Sequence, residues 1–429
     1  MKKNYLLRDR CACRLYERYA KDLPIIDFHN HLSAQDMSSN KKFNNITEIW
    51  LASDPYKHRL MRICGVPERF ITGDASDFEK FEKFCEIFPG LAGNPVYDWS
   101  RMELSMIFGI EDLPSAKTAE AIYKRTEELL SKDEFSYNGI LARFGVEYQS
   151  PVADLTEDLS CFSGGVSPSL RGDSLLLPTD NLKSKIEEKT GIRITDTDEY
   201  IKAVSMLLDE FDSVGCRVAD HALDDGFFDG DTDGKMRDIL VRLGVEYYKR
   251  GWTLLLHIGA KRKTSDRLAA LAGKAGGYAA IGNSFDVSSV CDLLSDMERA
   301  GGLPSTVLFP LNMSDMPSFA VMSGSFSEDG VGGKIQLGPA WWWCDHAFGI
   351  KHALDSISAF GVLSEFLGMT TDSRSILSFV RHDYFRRILC SYISEKNSKE
   401  DLGLTEEAMG ELIKKICYEN AKKRIEVKK

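Results

Sequence analysis

The chain has no apolar run approaching the roughly 20 residues that span a bilayer. Its first residues, Met1-Lys2-Lys3-Asn4-Tyr5-Leu6-Leu7, lead at once into charge and hold no apolar core of signal-peptide length. These two absences predict a cytoplasmic protein with no membrane partner. No C-x-x-C pair occurs among the ten cysteines, and Cys11 and Cys13 form a lone C-x-C. Cysteines scattered in this way through 429 residues do not make a disulfide framework, and reduced thiols are expected. Positive charge is short as well: 54 lysines and arginines face 65 acidic residues, for a net charge of −11. The acid excess argues against nucleic-acid binding and obliges any anionic ligand to find its own local arginines. Internal repeats and low-complexity segments are absent.

What is present is a composition of 43% hydrophobic and 28% charged residues, that of a soluble globular protein with a sizeable core. Short apolar runs of β character recur at 23–28, 145–148, 165–170, 215–219, 252–257, 305–311, 334–337 and 366–371. Helical periodicity fills many of the gaps, at 199–214, 235–249, 287–300 and 349–360. Strands alternating with helices imply parallel βαβ units, and eight of them predict an α/β fold of the (β/α)8 TIM-barrel type, one domain over 1–429. The rhythm breaks after the first strand. Residues 33–140 read as a helical insertion, with amphipathic helices at 77–88 and 118–131. Such an insertion emerges at the barrel face where active sites form and can supply residues to them. A charged amphipathic helix is expected at 405–429 and a mobile loop at 323–333.

The sharpest local feature is Ile25-Ile26-Asp27-Phe28-His29-Asn30-His31. Side chains alternate along a strand, so His29 and His31 share a face, and two imidazoles at a strand end make half of a metal site. One of the pair being merely hydrogen-bonded is the plainer alternative. His257 ends the apolar run 252–257 and sits at the same presumed mouth, though a satisfied core histidine explains it too. Asp372 follows the run 366–371 and fits a metal ligand, a base or a helix N-cap. Arg374, two residues on, can clamp a carboxylate bidentately or form a surface ion pair. Arg171 is a second candidate anion binder. Tyr56, within the insertion, can shuttle protons or simply be a buried, satisfied tyrosine. The run Trp341-Trp342-Trp343 can form a platform under a sugar ring or pack the core.

These segments, in order along almost the whole chain, resemble the uronate (glucuronate) isomerase family of the amidohydrolase superfamily. The similarity is carried by 23–32, by Ile71-Thr72-Gly73-Asp74-Ala75-Ser76-Asp77, by Gly93-Asn94-Pro95-Val96-Tyr97 and by His257-Ile258-Gly259-Ala260. Its strongest part is Thr371-Asp372-Ser373-Arg374-Ser375, followed by the block Arg381-His382-Asp383-Tyr384-Phe385-Arg386-Arg387-Ile388-Leu389. The resemblance implies interconversion of D-glucuronate with D-fructuronate and of D-galacturonate with D-tagaturonate. It implies one divalent metal, zinc being expected, among His29, His31 and Asp372. Arg374 would bind the substrate carboxylate, with Arg171, Tyr56, His257 and Trp341 or Trp342 lining the pocket. The segment 215–221 has no lysine to bridge two metals, and Val307-Leu308-Phe309-Pro310-Leu311-Asn312 ends without a histidine. Both point to a single metal rather than a two-metal hydrolase. The sequence departs from the family at Pro55, where a histidine is common, at Asn312-Met313-Ser314-Asp315, and at Trp343-Cys344-Asp345-His346.

The chemistry implied is proton transfer through an enediol, with Asp372 and Tyr56 as the acid–base pair and the substrate as the small-molecule partner. A metal-dependent hydrolase and a catalytically silent sugar-acid binding protein are the alternatives. A homo-oligomer is left open by composition and motif alike.

Overall fold

The computed structural model describes residues 2–273 and 276–426. Nine strands occur among them: β1 (Ile25–Asn30), β2 (Val146–Asp154), β3 (Ser169–Arg171), β4 (Val218–Leu223), β5 (Thr253–Ile258), β6 (Ala260–Lys261), β7 (Ala280–Ile281), β8 (Ser305–Pro310) and β9 (Ile335–Leu337). Seven of these form one sheet in the order β1-β2-β3-β4-β5-β8-β9, every pairing parallel. The short β6 and β7 pair antiparallel outside it. Every residue of β1 and of β5 is buried, as expected when a parallel sheet is covered on both faces.

Helices between the strands lie where the periodicity predicts. The helix Thr197–Ser213 is capped by the Asp196 carboxylate and buries Tyr200, Ala203, Val204, Leu207, Leu208 and Phe211, an i, i+3, i+4 stripe. Lys235–Lys249, Val287–Arg299 and Ala347–Phe360 repeat the arrangement. Seven α-helices, from Ala34–Ser38 to Tyr137–Phe144, separate β1 from β2 among the described residues, including Asp77–Ile87 and Ala119–Leu130. The C-terminal stretch is helical from Glu406 to Ile425, with a π turn at Lys415–Glu419; the last three residues of the predicted helix, 427–429, lie outside the described residues. All ten cysteines are free thiols, and no helix among the described residues is long and apolar enough to cross a membrane.

The eighth predicted strand, 366–371, is the main correction: it forms no ladder. Its backbone groups bond to side chains and to single carbonyls instead. The Leu367 amide donates to Gln336 Oε1 on β9 at 3.0 Å, the Thr371 amide to Asp27 Oδ1 on β1 at 2.7 Å, and the Asp372 amide to the His29 carbonyl at 3.2 Å. Gly368, at φ +83°, breaks the extended geometry that a ladder needs, and a Cβ there would collide with the Ile416 carbonyl. The segment thus touches both edge strands, β1 and β9, which requires the seven-stranded sheet to be curled.

Candidate metal centre and active site

Parallel strands put their C-terminal ends on one side of the sheet, and the polar residues predicted to carry chemistry gather there. His29 is fully buried near the end of β1, and His31 lies just beyond it. Their Nε2 atoms stand 3.4 and 3.0 Å from the same oxygen, Asp372 Oδ1. Asp372 has φ +45°, in the left-handed region that few residues other than glycine adopt. Its peptide is fixed from both sides, by the Asp372 amide on the His29 carbonyl and by the His31 amide on the Ser373 carbonyl at 2.9 Å.

Beneath this group lies Asp27, fully buried, which accepts from the Thr371 amide and hydroxyl, the Thr370 hydroxyl at 2.9 Å and the Asn30 amide at 2.8 Å, with His382 Nε2 at 3.3 Å. Burial alone would raise the Asp27 carboxyl; His382 and these donors outweigh it and hold the group below the usual carboxylate range.

His257 ends β5 and donates from Nδ1 to Asp220 Oδ1 at 2.5 Å. Asp220 Oδ2 is 3.9 Å from His29 Nε2. Two donor sets follow, His29/His31/Asp372 and His29/Asp220/His257, each compact enough to hold a cation. The fit to a metal rests on unpartnered atoms. His29 Nε2 and His257 Nε2 are buried and make no hydrogen bond, while the Nδ1 of each ring has a partner, Ser169 Oγ at 3.2 Å for His29 and Asp220 for His257. With Nδ1 donating, Nε2 presents a bare lone pair, the arrangement of a metal-ligating imidazole. Burial resists charge on Asp372, yet His29 and His31 hold its carboxyl well below the ordinary range. Burial likewise resists charge on Asp220, and His257 and His29 overcome it. Burial opposes a proton on His29, and the two carboxylates outweigh it and raise its pKa; in His31 burial wins and the pKa falls. Ionised oxygens beside desolvated imidazoles are a hard-and-borderline donor set suited to a divalent ion.

An aromatic wall runs from His257 to Tyr56. The His257 ring meets Trp341 edge-on at 4.5 Å, Trp341 meets Trp342 at 5.6 Å, Trp342 stacks on Trp343 at 4.8 Å, and Trp343 meets Tyr56 edge-on at 5.3 Å. The indole N–H groups of Trp341 and Trp343 are buried without a partner, so each has a hydrogen bond to give. Tyr56 arrives on the helix Pro55–Ile63, whose cap Asp54 accepts from the Tyr56 amide at 2.9 Å and is itself held by buried Lys57 at 2.6 Å. Burial pushes the Tyr56 phenol well above its usual range, so it stays protonated. Pro55, which departs from the family pattern, occupies the first helical turn, where its fixed φ is favourable. The other departures are likewise structural: Asn312 caps the turn Met313–Asp315, and His346 caps Ala347–Phe360.

Arginines supply positive charge. Arg374 is exposed and its guanidinium makes no hydrogen bond or ion pair among the described residues; burial of part of its surface and the charges of Arg171 and Arg262 pull its pKa down. Arg171, at the end of β3, is only loosely paired with Asp173 at 3.8 Å. Arg262 bonds Asp224 at 2.8 Å and lies 5.4 Å over the Trp342 ring. Sequence reasoning had assembled His29, His31, Asp372, His257, Tyr56, Arg171, Arg374, Trp341 and Trp342, and the structure gathers them around this end of the sheet. Asp220 and Arg262 are the members that the sequence reading omits, and Trp343 enters it only as part of the aromatic run. Asp220 carried a usable signal, a carboxylate inside the apolar strand 218–223.

Comparison with known proteins agrees with this arrangement. The glucuronate isomerase family model matches residues 1–242 and 235–424. A curated uronate isomerase from Caldanaerobacter subterraneus subsp. tengcongensis is 37% identical, the alignment covering 98% of each chain. The crystal structure of a uronate isomerase from Thermotoga maritima superposes with a TM-score of 0.90 at 29% identity over 99% of both chains. That of a glucuronate isomerase from Caulobacter crescentus shares the fold, with a TM-score of 0.89 at 22% identity over 100% of this chain and 97% of that one. On its sequence along nearly its whole length, and on the fold that carries its site, the chain belongs to the glucuronate (uronate) isomerase family.

Proposed function

We propose that this protein is an aldose–ketose isomerase that interconverts D-glucuronate with D-fructuronate and D-galacturonate with D-tagaturonate. The observation that carries the reading is the juxtaposition, two residues apart, of an ionised Asp372 among imidazoles and an unpaired Arg374 guanidinium. The first suits proton abstraction and the second the carboxylate that distinguishes a uronate from a neutral sugar.

Arg374, assisted by Arg171, grips the C6 carboxylate and fixes the register of the open-chain sugar. Trp341 and Trp342 flank the chain, with His257 behind them. Asp372, held ionised, and Tyr56, held protonated, form the acid–base pair. One proton leaves C2, one arrives at C1, and the carbonyl passes from C1 to C2 through an enediol, so no external oxidant or reductant is consumed. A divalent cation at His29, His31 and Asp372, zinc in our reading, would supply Lewis-acid polarisation of the sugar oxygens and offset developing negative charge. The second donor set, His29/Asp220/His257, favours a two-metal hydrolase as the competing reading. Against it, both sets draw on the same His29 Nε2, which can serve one ion.

The wider architecture is read the same way. The segment 366–373 stands where an eighth strand would close a (β/α)8 barrel, supported by its bonds to β1 and β9. Residues 33–140 act as an insertion over the mouth, supported by the place of Tyr56 in the aromatic wall. The test is incubation with each uronate in deuterated water, followed by NMR. Ketose carrying deuterium at C1 supports the reading. Absence of ketose from both uronates would sink it.

A further inference from the structure

Arg381 is the least exposed arginine of the site region, at 2%, on the first turn of the helix Val380–Lys399. A buried guanidinium persists only when its donors are satisfied and its charge is countered. Here Nη1 donates to Asp345 Oδ2 at 2.7 Å and Nη2 to the Thr371 carbonyl at 2.7 Å. The guanidinium carbon lies over two rings, 5.5 Å from the Tyr56 centroid and 5.0 Å from that of Trp99. One planar group therefore touches the tyrosine, the peptide leading into Asp372, and a buried carboxylate.

We propose that Arg381 is a positioning residue for the isomerisation, setting the Tyr56 ring and the Thr371–Asp372 peptide in one fixed relation. The inference rests on the uronate isomerase reading above. Two features make the relation need a holder. Asp372 occupies a left-handed backbone conformation, φ +45°, which survives only where its surroundings over-determine it. The Thr371 amide and hydroxyl are tied to Asp27, the Asp372 amide to His29, and the remaining Thr371 carbonyl to Arg381. Of these ties, only that from Arg381 also reaches Tyr56, which comes from a distant helix. Asp345 completes the device by anchoring the other end of the fork. A lysine keeps the charge but offers a point rather than a planar fork, so it cannot hold Asp345, Thr371 and Tyr56 together.

The test is steady-state kinetics on D-glucuronate for the wild type, Arg381→Lys, Asp345→Asn, Tyr56→Phe and the double variant Arg381→Lys/Tyr56→Phe, with metal content and thermal midpoint measured on each. Arg381→Lys is expected to lower kcat about 10–100-fold, as displacement of a reacting group does, with KM within about 3-fold of wild type and metal content unchanged. The double variant should fall by less than the product of the two single losses, because Arg381 acts through the placement of the tyrosine whose hydroxyl the second change removes. If Arg381→Lys does not fold, Asp345→Asn reads the same device, and a kcat loss of at least about 10-fold at constant KM supports it. Wild-type kcat in the folded variants, or strictly multiplicative losses in the double variant, overturns the positioning role while leaving the isomerase reading intact. A wild-type protein that forms no ketose overturns both.

Discussion

In the proposed reaction Asp372 and Arg374 carry different parts of one task, and single substitutions separate them. The Arg374 guanidinium has no hydrogen-bond or ion-pair partner among the described residues, so its replacement costs no ion pair seen there. Arg374→Ala is therefore expected to fold with the stability of the wild type and to lose at least about 100-fold in kcat/KM on D-glucuronate, the worth of a charge-assisted bidentate contact. Near wild-type kinetics would remove the clamp from the account. The same scale shows what a sequence discloses. His29, His31, His257 and Asp372 are legible because each ends an apolar run, and a polar group placed there has few bland explanations. Arg381 belongs to a block rich in charge, Arg381-His382-Asp383, where nothing in the pattern separates a buried guanidinium from a solvated one. Its role depends on Thr371, Asp345 and Tyr56, brought together only by the fold.

At the scale of elements, seven parallel strands and the long helices were foreseeable from period alone, because burial on one stripe or on both faces writes a repeat into the chain. The segment 366–373 was not, because its pairing runs through the side chains of Asp27 and Gln336, which leave no repeat. Gly368 is its test. At φ +83° and against the Ile416 carbonyl, Gly368→Ala meets both backbone strain and a clash, and should lower the unfolding free energy by more than about 2 kcal/mol. Chemical denaturation gives the value, and an unchanged midpoint would show that the segment is free to shift.

A second element carries its own acid dependence. On the helix Lys235–Lys249, burial would raise the Glu246 carboxyl, but hydrogen bonds from Lys249, Arg250 and Ser205 bring it down from 4.5 to about 2. A carboxyl lowered in the folded state stabilises above its unfolded pKa and ceases to do so as pH falls through the folded value. Glu246→Gln should therefore cost on the order of 1–2 kcal/mol near neutrality, allowing for solvent screening at this partly exposed site. The difference from wild type should shrink from about pH 4.5 downward and vanish near pH 2. Parallel unfolding curves for the two proteins across that range would contradict the assignment.

For the whole molecule, the net charge of −11 leaves the anionic substrate proposed for it to depend on local arginines. Burial, and then the charges of Arg171 and Arg262, pull the pKa of Arg374 down, so three guanidinium groups share the open end of the sheet with its carboxylates. A parallel α/β fold, and the polar residues that the structure brings to one end of its sheet, were legible in the sequence together with its family resemblance. The curl of the sheet, the overlap of the two donor sets on His29 and the tie between the helix of Tyr56 and the peptide of Asp372 arise only in the fold, since each joins residues far apart in sequence. The most direct test of the account is a metal titration. Protein stripped with a chelator and reloaded stepwise with zinc, while ketose formation from D-glucuronate is followed, should gain activity linearly and reach a plateau at one equivalent per chain. A plateau at two equivalents, or no ketose at any loading, would contradict a single-metal uronate isomerase.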